Sequence, residues 1–161
     1  MLTSFENMPE NARVWIYQAD RKLTTTEEEQ IQQTGNVFFE DWAAHGAPLK
    51  CAFKIFHHQF VVISVDESHN QVSGCSIDSS VGFVKHLEQQ LNINFFDRTK
   101  LAFIHDEEVF LESLNNLKTS VTSGRISEST LTFNNLVSSK SELDDSWLVP
   151  AKSTWLNKYF N

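Results

Sequence analysis

The residues that staple, kink or positively charge a small protein are scarce in this chain, and each shortage excludes something. Two cysteines, Cys51 and Cys75, cannot build a disulfide framework. Met1 to Pro9 lacks a basic segment leading into an apolar stretch, so these are expected to be reduced thiols in a cytoplasmic protein. The five glycines, at 35, 46, 74, 82 and 124, never stand five apart, which rules out the Gly-x-x-x-x-Gly-Lys phosphate loop. Thirteen basic residues face 21 acidic ones, for a net charge of −8 with no cationic run. Nucleic acid and anionic membranes are recognised through clustered Lys and Arg, so neither is an expected partner. No apolar run approaches the roughly 20 residues of a membrane span. The six histidines, at 45, 57, 58, 69, 86 and 105, contain no His-x-x-x-His pair, and the cysteines form no Cys-x-x-Cys. No metal site and no cofactor are expected.

Apolar bulk is plentiful. Hydrophobic residues make up 40% of the chain, with 13 Phe and 4 Trp, which is enough for a packed core. At 161 residues the chain is expected to form one domain, 1–161, that buries roughly 70% of its unfolded surface. No repeat or low-complexity segment divides it.

Arg13 to Ala19 is β-branched and aromatic on both faces, the pattern of a central strand flanked by two others. Thr24 to Glu29 offers overlapping capping boxes for a helix over 27–44, with Gly35 a weak spot inside it and Gly46 just past its end. Leu49, Cys51, Phe53 and Ile55 alternate with their neighbours, which predicts a half-buried strand with Cys51 inward. His57-His58-Gln59 then connects it to a buried strand over 60–65. Val81, Val84, Leu87 and Leu91 share one face of a second helix, over 78–91, with Asp78 or Ser79 as its cap. Strands over 101–104 and 109–111 and a helix over 113–123, with Leu114, Leu117 and Val121 inward, come next. A strand over 130–133, a polar exposed stretch over 138–146, and a terminal helix capped by Ser153 complete the reading. The order β-α-β-β-α-β predicts an α+β fold of ferredoxin-like type: an antiparallel sheet with helices on one face and a C-terminal elaboration.

Chemistry is expected near residues 66–80, where a strand passes through a polar loop into a helix. Cys75 would lie near a helix N-terminus, which favours thiolate, with His69 as base and Asp66 to orient it. The plain alternative makes Cys75 a small packed residue. Ser76, Ser79 and Ser80, with free backbone N–H groups, could hold an anion, although Asp78 would repel one and cap the helix itself. The expected function is a non-catalytic domain that binds a small molecule or a protein partner. The second reading is a thiol-dependent enzyme.

Several segments together resemble a family of small bacterial proteins often labelled "ABC transporter ATPase". They are Arg13-Val14-Trp15-Ile16-Tyr17-Gln18-Ala19-Asp20-Arg21-Lys22-Leu23, Trp42-Ala43-Ala44-His45-Gly46-Ala47-Pro48-Leu49, Val65-Asp66-Glu67-Ser68, Ser73-Gly74-Cys75-Ser76-Ile77-Asp78-Ser79-Ser80-Val81 and Leu148-Val149-Pro150-Ala151-Lys152. The resemblance implies a single-domain soluble protein. With the phosphate loop missing, it does not imply ATP hydrolysis.

Overall fold

A computed structural model describes all residues, Met1–Asn161. Strand β1 (Arg13–Gln18) leads into helix α1 (Thr25–Glu40). A minimal hairpin of β2 (Ala43–Ala44) and β3 (Ala47–Pro48) delivers the chain to β4 (Lys50–Phe56), which turns back as β5 (Phe60–Asp66). Helix α2 (Gly74–Leu91) and the hairpin β6 (Lys100–His105) and β7 (Glu108–Ser113) follow. The last third holds α3 (Leu117–Thr122), β8 (Leu131–Phe133), α4 (Lys140–Ser146), β9 (Leu148–Pro150) and a closing 3-10 helix, Trp155–Phe160. The fold is α+β, and every paired strand runs antiparallel to its neighbour. No helix is long and apolar enough to cross a membrane.

Two main sheets form, of order β1-β5-β4 and β7-β6-β8-β9. All of β5 is buried, and its alternating side chains feed two separate cores. Val61, Ile63 and Val65 pack with Ile31 and Phe39 of α1 and with Phe83, Val84 and Leu87 of α2. Phe60 and Val62 point the other way, onto Phe5, Met8, Ala102, Leu143 and Trp147. Each such side chain contributes about 1.5–3 kcal/mol on leaving water. Layers therefore cover the first sheet on both faces. A third, smaller core joins Phe103 to Leu117, Ile126, Ala151 and Leu156.

This layering corrects the expected place of Arg13–Ala19. β1 has β5 as its one strand neighbour and, apart from an isolated bridge between Arg13 and Ser139, forms one edge of the three-stranded sheet. Its two apolar faces reflect cover from above and below, not strand neighbours on either side. The ferredoxin-like strand order is not reached, because β6 joins the second sheet instead of lying beside β1. Helices do share one face of the first sheet, as anticipated, through the core common to α1 and α2.

Several boundaries also move. α1 is capped by Thr24, whose hydroxyl accepts from the Glu27 N–H while Glu27 accepts from the Thr24 N–H. It stops at Glu40, and the predicted last turn becomes the β2–β3 hairpin, with His45 (φ 53°) and Gly46 (φ 76°) left-handed at its tip. α2 begins earlier than expected, at Gly74, because Ser73 is the cap and not Asp78 or Ser79. Residues 138–146, expected to be exposed, hold α4, where Lys140 and Leu143 are buried. Leu114 is exposed instead of inward, since a 3-10 turn at Leu114–Asn116 shifts the phase of the helix. The terminal helix is 3-10, with Thr154 and not Ser153 as its cap.

Candidate functional site

The segment 66–80 is built from interlocking local hydrogen bonds. Asp66 is buried, and its Oδ1 accepts from the Ser68 N–H at 3.0 Å and the Ser68 hydroxyl at 2.7 Å. Its other oxygen lies 3.6 Å from Lys50 Nζ. These bonds to Ser68, with the nearby lysine, hold its carboxyl below the usual aspartate range. His69 is exposed and bonds neither Asp66 nor Cys75, so the three are not joined as nucleophile, base and orienter. Cys75 is exposed in the first turn of α2.

The serines are occupied by the helix itself. Ser73 and Ser76 form a reciprocal capping box, with the Ser73 N–H donating to Ser76 Oγ at 2.7 Å and the Ser76 N–H to Ser73 Oγ at 3.1 Å. Ser79 donates to the Ser76 carbonyl and accepts from the Trp42 indole, and Ser80 donates to the Ile77 carbonyl. Asp78 is exposed and caps nothing. The backbone donors that an anion would need at this helix start are partly satisfied by Ser73.

A concavity lies elsewhere, where β1 and the second sheet part company. β1 uses its odd-numbered backbone groups against β5, since the Ala19 N–H continues the ladder to Gln59 and the Val14 N–H turns outward to Ser138. Strand alternation then directs the backbone of Ile16 and Gln18 away from β5. Beyond that edge lies a cleft of about 630 Å³, floored by Ala102 and Thr132 and walled by Ile16, Tyr17, Phe133 and Leu156. Its rim carries Phe96, Leu136 and Trp155, which are 41%, 90% and 52% exposed. That volume falls within the range of small-molecule sites.

Polar groups enter this cleft at defined places. The Gln18 amide bridges the two sheets, donating to the Lys100 carbonyl at 3.0 Å and accepting from Asn135 at 3.2 Å. Asn135 also accepts from the Trp147 indole, which ties the cleft to the core. Tyr17 meets Phe96 edge-on at 5.7 Å. Burial pushes the Tyr17 phenol upward in pKa, partly offset by the Ser80 hydroxyl beside it. Ser80 thus links the predicted segment to this wall. Arg98 and Lys100 stand at the mouth.

None of these cleft residues could be nominated from sequence, because they come from β1, β6, β8, β9, the loops that follow α2 and β8, and the closing 3-10 helix. Leu136 lies in the loop after β8, whereas Trp155 opens the closing 3-10 helix and meets Tyr159 at 6.2 Å. No group of three or more His, Cys, Asp or Glu side chains is arranged to hold a metal ion. No protein-family model, curated protein or solved structure matches this chain.

Proposed function

We propose that this protein is a non-catalytic binding domain for a small molecule, and that its site is the cleft between β1 and the second sheet. The observation that carries the proposal is the cleft itself, of about 630 Å³, open along an unpaired strand edge. Its lining is mainly apolar with a few fixed polar groups, the composition by which small-molecule sites recognise ligands. Only with the two-residue strands β2 and β3 set aside does the chain order β1, α1, β4, β5, α2, β6 match a ferredoxin-like β-α-β-β-α-β sequence. We read the cleft as that arrangement opened along β1, with β6 drawn into the second sheet. ATP hydrolysis is no part of this reading, since the phosphate loop is missing.

The second reading, a thiol-dependent enzyme, has the exposure of Cys75 at the start of α2 in its favour. No base is hydrogen-bonded to Cys75, so this reading stays second.

A fragment screen followed by amide chemical shifts separates the two. Binding fragments are expected to shift Tyr17, Ala102, Phe133 and Trp155 together, and to do so equally in the Cys75→Ser variant. Shifts confined to residues 66–80, or binding abolished in Cys75→Ser, would sink the cleft and favour the thiol.

A further inference from the structure

We infer that the cleft selects an aromatic carboxylate, with the ring among the wall residues and the carboxylate on Arg98. The inference rests on the cleft being a ligand site, and it adds the chemical class. Charge is the first argument. The chain as a whole carries −8, yet Arg98 and Lys100 line the cleft against a single carboxylate, Asp97. The local balance is therefore cationic where the rest of the surface is not.

Asp97 does not neutralise Arg98. Its Oδ1 accepts from the Thr99 N–H at 2.9 Å and the Thr99 hydroxyl at 2.5 Å, a local turn that keeps it occupied. Lys100 Nζ donates to the Asp20 carbonyl at 3.3 Å, so part of its capacity is spent inside the fold. Arg98 has neither an ion pair nor a hydrogen-bond acceptor, and it is exposed at the mouth. An unpaired guanidinium presents a planar fork of donors matched to a carboxylate's two oxygens. The pair would sit beside low-dielectric walls, where it gains more than in open water.

The rings are the second argument. Tyr17, Phe95, Phe96, Phe133 and Trp155 all line the cleft. Aromatic rings prefer edge-to-face or offset contact with another ring, a geometry that alkyl chains cannot exploit. Phe96 and Trp155 are the more exposed of the set and present open ring surface to a planar guest.

The test uses two ligands of one shape, naphthoate and its uncharged isostere naphthamide, titrated by calorimetry into the whole protein. Naphthoate is expected to bind about tenfold tighter, the scale of one charge-assisted hydrogen-bonded pair. Arg98→Gln should erase that preference by weakening naphthoate about tenfold more than naphthamide, and Arg98→Lys should restore part of it. Leu136→Ser, a change at an exposed rim position, should weaken both ligands alike. Equal affinities in the parent protein, or a preference that survives Arg98→Gln, would overturn the carboxylate class while leaving the cleft as a ligand site. Binding of neither compound, or binding indifferent to Leu136→Ser, would overturn the cleft reading as well.

Discussion

Cys51 and Cys75 show how differently one side chain behaves in two surroundings. Cys51 is fully buried on β4, its sulfur 3.3 Å from the Phe39 carbonyl, and burial pushes its thiol up to about 11. Cys75 is solvent-exposed. Iodoacetamide is expected to label Cys75 in the folded protein and to spare Cys51 until unfolding, as read by peptide mass spectrometry. Equal protection of the two would contradict the placement of Cys75. The raised Cys51 value also has a pH consequence, because the unfolded thiol ionises before the folded one. Its contribution to stability is fully present below about 9 and is lost as pH rises towards about 11. The alternation around Cys51 foretold its burial, since a period of two needs no knowledge of what covers the strand.

At the scale of the element, two helix glycines have opposite roles. Gly35 of α1 is buried against Phe53 of β4, and a Cβ there would overlap the Phe53 ring. Read from sequence it was a weak spot; in the fold it is where helix and sheet approach most closely. Gly82 of α2 is exposed, and a Cβ there would meet nothing within 4 Å. Gly82→Ala is expected to stabilise by up to about 1 kcal/mol through helix propensity. Gly35→Ala should instead destabilise by about 1–3 kcal/mol, because overpacking outweighs the same propensity gain. Urea midpoints measure both, and a stabilised Gly35→Ala would show that α1 can shift away from β4. The capping boxes belong to this scale too. Thr24 with Glu27 was legible because the pattern is local, whereas Ser73 was overlooked because its partner at N3 is Ser76 rather than a glutamate.

Across the whole molecule, Trp147 fastens the two sheets together. Its ring lies 5.4 Å from Phe56 and 4.9 Å from Phe60 on the first sheet, and 5.1 Å from Phe133 on the second. Trp147→Ala should destabilise by about 3–5 kcal/mol, the usual cost of emptying a large aromatic site. Circular dichroism and Tyr17 side-chain resonances should lose structure in a single shared transition, since one core feeds both sheets. Two resolved transitions would mean that the sheets fold independently and that the cleft between them is a domain boundary.

The residues alone determined the strands and helices with strong periodicity, the helical face on one side of the first sheet, and the inward thiol. Each of these follows from spacing within a single element. Tertiary structure decided which strand takes which neighbour. Arg13–Gln18 reads as central because apolar side chains report cover on two faces, and lateral pairing by backbone groups leaves no trace in side-chain pattern. The cleft escaped for the same reason: it exists only where the outer edge of β1 faces residues from distant parts of the chain, brought there by the packing of Trp147 and Ala102 on Phe60 and Val62.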